Sequence, residues 1–186
     1  GHPLLRSLHF LRDAFSESGD HTGRGCVKKD SPHSSTIRII GLGNGMRGDD
    51  AVGLMAARRI CQAIGNHAQV IEAEMAGVDL IELMKGVGVV ILIDAAQSGQ
   101  TPGIIHRLDA SLDPIGCKIV PRSSHAIGVS DAIEVARAMG VLPSTVIVYG
   151  VEVANTEIGQ PLSPPVATAL DQVVDQIVQD CESRCA

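Results

Sequence analysis

Three points in the sequence carry polar side chains that could do chemistry. Asp49 and Asp50 follow a glycine-rich segment, and Asp94 ends a run of apolar residues. His125 comes after two serines and before a stretch of small residues. Carboxylates and an imidazole together suit borderline divalent ions such as zinc or nickel. Three protein ligands that leave one position open are typical of catalytic rather than structural metal sites.

Each of these residues also has a structural interpretation. One aspartate of the Asp49–Asp50 pair could cap the helix predicted after it. Asp94 could turn the chain by accepting a hydrogen bond from its own backbone. His125 could be a satisfied imidazole at the start of a helix. Their joint placement, each at the C-terminal edge of the predicted sheet, favours a site.

The elements that must position these residues begin at Ile37, where short β-branched runs alternate with stretches of helical period. The predicted strands are Ile37–Gly41, Gln69–Glu74, Val87–Asp94, Gly103–Arg107 and Thr145–Val151. The predicted helices are Ala51–Ile64, Val78–Lys85, Gly128–Met139 and Pro165 to about Cys181. Most of the strands are continuously apolar, which indicates burial on both faces of a largely parallel sheet.

We therefore predict an α/β fold with a twisted, mostly parallel five-stranded sheet and helices on both faces. Ligands of such sheets bind beyond the carboxyl ends of the strands. Residues 1–36 are rich in Ser, Gly, Asp, His and Lys, and they predict a flexible N-terminal leader. Residues 37–186 are expected to form a single α/β domain.

The composition excludes several classes of partner. The chain of 186 residues has a net charge of −6 and is 2% aromatic, so it lacks the positive charge and stacking rings of a nucleic-acid binder. Its longest apolar run, Val87–Ile93, is far shorter than the ~20 residues of a membrane helix. The five cysteines are widely spaced, which fits reduced thiols in the cytoplasm. Cys181 and Cys185 are expected to be frayed terminal thiols.

The segment from Gly41 to Gly43 also matches part of a dinucleotide-binding fingerprint. Met46 occupies the position of the third glycine, however, and the nearest acids of the second strand, Glu72 and Glu74, lie about 30 rather than ~20 residues further on. A nucleotide-binding protein of the Rossmann type is therefore a less favoured alternative.

Taken together, these motifs resemble the hydrogenase maturation endopeptidases, proteases that trim the large subunit of nickel-iron hydrogenases. The resemblance spans about Ile37 to Val178 and is carried by five short motifs that occur in the right order. They are Gly43-Asn44 with Gly48-Asp49-Asp50 and Gly53, Ile93-Asp94-Ala95, Ser124-His125-Ala126-Ile127-Gly128, Tyr149-Gly150-Val151-Glu152, and Leu162-Ser163-Pro164.

The resemblance implies metal contacts from Asp50, Asp94 and His125. We assign catalysis to Asp50 and Asp94, since either could activate water as a general base if it is not engaged by the metal. Asp49 is expected to cap or support them. We assign substrate binding to the remaining site residues, which are Gly43, Asn44 and Glu152.

The implied substrate is the precursor of the hydrogenase large subunit. Nickel would arrive with that precursor, not stably bound in the free protease, and cleavage would release a short C-terminal extension. A non-cleaving module that only binds nickel or the precursor during maturation is the alternative. We expect a cytoplasmic monomer with no nucleic-acid or membrane partner.

Overall fold

A computed structural model of the chain describes residues 37–74, 77, 79–112 and 128–185. The strands are β1 (Ile37–Gly43), β2 (Gln69–Glu74), β3 (Val89–Ala96), β4 (Ile105–Asp109) and β5 (Thr145–Glu152). The helices are α1 (Val52–Ile64), α2 (Asp79–Met84), α3 (Val129–Ala138) and α4 (Pro164–Cys185), and a 3-10 turn at Gly48–Ala51 precedes α1.

The five strands form one sheet in the order β2-β1-β3-β5-β4. β1, β2, β3 and β5 are parallel, and β4 pairs antiparallel with β5 at one edge. This arrangement confirms the predicted mostly parallel five-stranded α/β sheet. The chain direction of the parallel strands brings the ends of β1, β3 and β5 to one edge.

Helices cover both faces of the sheet, which explains the continuously apolar strands. Because side chains alternate along a strand, Ile91 and Ile93 of β3 pack with residues of α1 and α4. Leu92, between them, packs on the other face with residues of α2 and α3. Asp94 lies two residues after Leu92 on the same strand, so its side chain points to the same face, the one covered by α2 and α3.

Several boundaries differ from the sequence prediction. β1 and β3 both run two residues further than predicted, so Asp94 lies within β3 and is not its last residue. The predicted first helix begins instead as a 3-10 turn that contains both Asp49 and Asp50. α4 reaches Cys185 and buries Cys181 in the core, so the expectation of a frayed thiol at Cys181 is wrong.

Glycines allow the first helix to approach the strand ends closely. A Cβ atom at Gly53, in the first turn of α1, would overlap the carbonyl oxygens of Leu42 in β1 and Ile93 in β3. A Cβ atom at Gly41 of β1 would overlap the carbonyl oxygen of Gly53. The glycine-rich segment is therefore explained by packing of helix on strand, without a dinucleotide.

Two predictions lie outside the described residues. These are the flexible leader of residues 1–36 and the position of His125, so the division into leader and single domain also stays a prediction. Across the part of the chain that the structure describes, no helix combines the length and apolar character needed to cross a bilayer.

We expect Gly53→Ala to destabilise the protein by about 2 kcal/mol or more, because the added methyl group overlaps two backbone carbonyls that cannot move independently. In thermal unfolding this corresponds to a fall in Tm of roughly 5 °C. Gly45→Ala is the matched control, since its Cβ would meet no heavy atom closer than 3.6 Å. An unchanged Tm for Gly53→Ala would contradict the close helix-strand contact.

Candidate active site

Asp94 is a buried carboxyl group near the end of the central strand β3. Its side chain is 5% exposed, and its Oδ1 accepts a hydrogen bond of 2.9 Å from the backbone N–H of Ala95. Burial raises the pKa of Asp94 to about 7, the hydrogen bond from Ala95 opposes this rise, and the charge of Asp50 adds to it. Asp94 thus bonds the adjacent backbone, although the chain continues as β3 and does not turn there, and it interacts with the second acid.

Asp50 is brought to Asp94 by the 3-10 turn that precedes α1. The residue is 2% exposed, and its carbonyl oxygen accepts a hydrogen bond of 3.1 Å from the N–H of Asn44. A Cβ atom at Gly43, whose φ is +142°, would overlap that same carbonyl. Gly43 and Asn44 therefore hold the turn that carries Asp50 against the end of β1, and their predicted contact with substrate stays a prediction.

The third predicted ligand, His125, lies outside the described residues. Within the described ranges, no group of three or more His, Cys, Asp and Glu side chains is placed to hold a metal ion. Two of the three predicted ligands, Asp50 and Asp94, therefore lie within the described residues. α3, which begins four residues after His125, packs on the sheet face to which Asp94 points.

Asp49 has a different role from its neighbour. It is fully buried, and its carboxylate accepts hydrogen bonds from the N–H groups of Ala154, Asn155 and Ser163 and from the hydroxyl of Ser163. These partners lie outside the 3-10 turn and α1, so of the two roles expected for Asp49 the structure shows support and not capping. Asp49 instead ties the loop after β5 to the turn that carries Asp50.

Further bonds join these two segments. The Arg47 Nε donates to the carbonyl of Thr156 at 3.2 Å, and the Gly159 N–H donates to the carbonyl of Met46 at 2.9 Å. Gly48 has φ of +53°, and a Cβ atom there would lie 2.7 Å from the carbonyl oxygen of Asn155. The loops before the 3-10 turn and after β5 therefore form one tightly joined frame beside the two acids.

Glu152, the last residue of β5, is 1% exposed. Its Oε1 accepts hydrogen bonds from the N–H groups of Ser98, Gly99 and Gln100, and its Oε2 accepts one from the Ser98 hydroxyl. In this structure Glu152 holds the loop that follows β3. Its predicted contact with the substrate stays a prediction.

His106 is a neighbour of the site that sequence reasoning passed over as an ordinary strand residue. Its Nε2 lies 3.4 Å from Oε2 of Glu152. In the sheet register, His106 on β4 pairs with Gly150, and Gly150 pairs with Asp94. Only the antiparallel pairing of β4 with β5 produces this row, and nothing in the sequence around His106 signals it.

The described geometry favours hydrolytic chemistry. Two carboxyl groups that interact in a buried position, one with a pKa of about 7, can supply a proton acceptor at neutral pH and a ligand for a cation. A phosphate group would be repelled at this helix start, because Asp49 and Asp50 already occupy it. The arrangement therefore disfavours the nucleotide-binding alternative.

The fold matches known endopeptidases. The hydrogenase maturating endopeptidase HybD from E. coli superposes with a TM-score of 0.66 at 22% identity, over 80% of this chain and 93% of HybD. The [NiFe] hydrogenase maturation protease HycI from Thermococcus kodakarensis gives a TM-score of 0.60 at 18% identity, over 78% and 92% of the two chains. The architecture is thus that of this class of α/β endopeptidases.

The sequence comparisons identify the family. Residues 55–180 match the family described as HycI, hydrogenase maturation protease. The hydrogenase expression/formation protein HupD of Rhodobacter capsulatus is 24% identical over 147 residues, which are 77% of this chain and 70% of HupD. The chain belongs to the hydrogenase maturation protease family and is a protease, which confirms the resemblance seen in its motifs.

We expect the stability of the metal-free protein to reveal the buried acid. Below the ordinary pKa of 3.8, Asp94 is protonated in both the folded and unfolded states, so it makes the free energy of unfolding no more dependent on pH. Between about pH 4 and 7 the folded state retains a proton that the unfolded state releases, so folding loses stability as the pH rises through this range. Asp94→Asn removes this loss while keeping an acceptor for the Ala95 N–H.

The measurement is urea unfolding in the presence of a chelator at pH 5 and pH 8. The free energy of unfolding of the wild type should fall between pH 5 and pH 8 relative to that of Asp94→Asn. The difference between the two proteins should change by about 2–4 kcal/mol in favour of Asp94→Asn. Asp175→Asn, at an exposed position on α4, is the control and should follow the wild type. Equal pH dependence in the wild type and Asp94→Asn would contradict the raised pKa of Asp94.

Proposed function

We propose that this protease is a nickel-dependent endopeptidase that removes the C-terminal extension of the nickel-loaded hydrogenase large-subunit precursor. The family match over residues 55–180 supports the role in hydrogenase maturation. The single observation that carries the chemistry is the buried pair of Asp50 and Asp94 at the carboxyl edge of the sheet.

The substrate brings its nickel, held by its own cysteine thiolates, to this edge. We assign the contacts from the protease to Asp50, Asp94 and His125. Two carboxylates and an imidazole suit a borderline divalent cation, and the cation would favour the ionised form of Asp94. Metal in this arrangement serves as a recognition handle and can polarise the scissile carbonyl.

The cleavage itself needs a water molecule and a base. The oxygen of water bonds to the scissile carbonyl carbon, the C–N bond breaks, and the proton taken from water passes to the departing amine. A general base works best when its pKa lies near the working pH. The pKa of Asp94 is about 7 in the metal-free protein, so Asp94 suits the role of holding the proton between these two events when its carboxylate is not engaged by the metal.

The remaining features of the proposal follow the sequence. The free protease is a cytoplasmic monomer, its partner is the precursor, and nucleic acid and membrane play no part. A module that binds the loaded precursor without cleaving it is the second candidate function. The same three residues, Asp50, Asp94 and His125, would then sense nickel without activating water, so the two candidates differ in whether the precursor loses mass.

Mass spectrometry of the precursor before and after incubation tests the proposal. We expect the wild type to remove the extension from nickel-loaded precursor only. Asp94→Asn and Asp50→Asn should each lower the cleavage rate by about 100-fold or more, because each loses a charge that acts on the metal or on water. His125→Ala should do the same.

Asp175→Asn is again the matched control and should cleave like the wild type. A wild-type protein that forms a stable complex with loaded precursor but causes no loss of mass would establish the non-cleaving candidate. Cleavage by Asp94→Asn at the wild-type rate would remove Asp94 from the mechanism. Cleavage of nickel-free precursor at the full rate would overturn the dependence on nickel.

A further inference from the structure

Two large apolar side chains stand exposed on neighbouring loops beside the acids. Met46 is 72% exposed and Ile158 is 73% exposed. The hydrogen bond from the Gly159 N–H to the Met46 carbonyl brings their loops side by side. We call the segments 44–47 and 157–160, with Met46 and Ile158 on them, the Met46–Ile158 patch.

Single exposed apolar side chains are common on protein surfaces, so the support beneath this pair matters. The patch lies on the frame that the buried Asp49 carboxylate holds with four hydrogen bonds. The bond from Arg47 to Thr156 adds a further link. Because the frame is already ordered, the patch can bind a partner without a large cost of ordering loops.

The patch is also close to the proposed point of cleavage. Met46 is four residues from Asp50, so their Cα atoms can be at most about 14 Å apart. A standard protein interface covers about 800 Å² on each partner. An interface of this size around a cleavage point at Asp50 is wide enough to extend to Met46.

We propose that the Met46–Ile158 patch is the docking surface for the folded body of the precursor protein, next to the acids that receive its C-terminal tail. This rests on the proposed function, since it is the proposed substrate that the patch receives. Polar residues lie next to the apolar pair along the chain, among them Arg47 and the exposed Glu157 and Gln160. An apolar centre within a polar rim is the usual composition of a protein-binding surface.

The test uses a double variant that carries both Met46→Ser and Ile158→Ser. The control is the single variant Met139→Ser. Met139 follows α3 and is 58% exposed, so it matches Met46 in residue type and exposure. Binding is measured by fluorescence anisotropy with labelled nickel-loaded precursor, in proteins that also carry Asp94→Asn so that the substrate stays intact. KM and kcat are measured in the same variants with Asp94 restored.

We expect the double variant to raise both Kd and KM about tenfold, while kcat stays within twofold and Tm is unchanged. Each single variant should raise Kd about threefold, which keeps the test valid if the double variant folds poorly. Met139→Ser should leave all of these values unchanged. Values of Kd and KM within twofold of wild type in the double variant would overturn the docking surface.

A second copy of this chain is the other possible occupant. If sedimentation shows that the wild type self-associates and the double variant does not, the patch is a homodimer surface and the proposal fails. A wild type that binds the precursor without cleaving it refutes the proposed function instead. In that case the change in Kd still decides whether the precursor docks on the patch.

Discussion

The close contact of the first helix with the strand ends is the constraint on which the site depends. Gly41 and Gly53 leave no room for a side chain between β1, β3 and α1, and Gly43 leaves none between β1 and the turn before α1. This contact sets the 3-10 turn against the carboxyl edge of the sheet and buries Asp50 where its charge acts on Asp94. A larger residue at any of the three glycines would move the turn away from β3.

Two buried aspartates near that turn, Asp49 within it and Asp94 in β3, have different roles. Asp49 is buried with four hydrogen bonds, so its charge is satisfied within the fold and ties the loop after β5 to the turn. Asp94 is also buried, accepts one hydrogen bond among the described residues, from a backbone N–H, and has a pKa near neutrality. A buried carboxyl group that lacks full compensation reduces stability, and such groups are concentrated at functional sites.

Much of this organisation could be predicted from the sequence, because it depends on local patterns. Continuously apolar β-branched runs predicted the buried strands. Asp50 and Asp94 were predicted as site residues because they are polar residues at the ends of those runs. The separate roles of Asp49 and Glu152 could not be predicted, because their partners lie 105 to 114 and 52 to 54 residues away along the chain. The row that joins His106 to Asp94 depends in the same way on strand pairing.

The central claim is that burial and the charge of Asp50 act together on Asp94. Carbon-13 NMR of the side-chain carboxyl group of Asp94, in metal-free protein, follows its titration directly. The account predicts a midpoint near pH 7 in the wild type and a slightly lower one in Asp50→Asn, since burial contributes more than the neighbouring charge. A wild-type midpoint near the ordinary value of 3.8, or one that Asp50→Asn leaves unchanged, would contradict it.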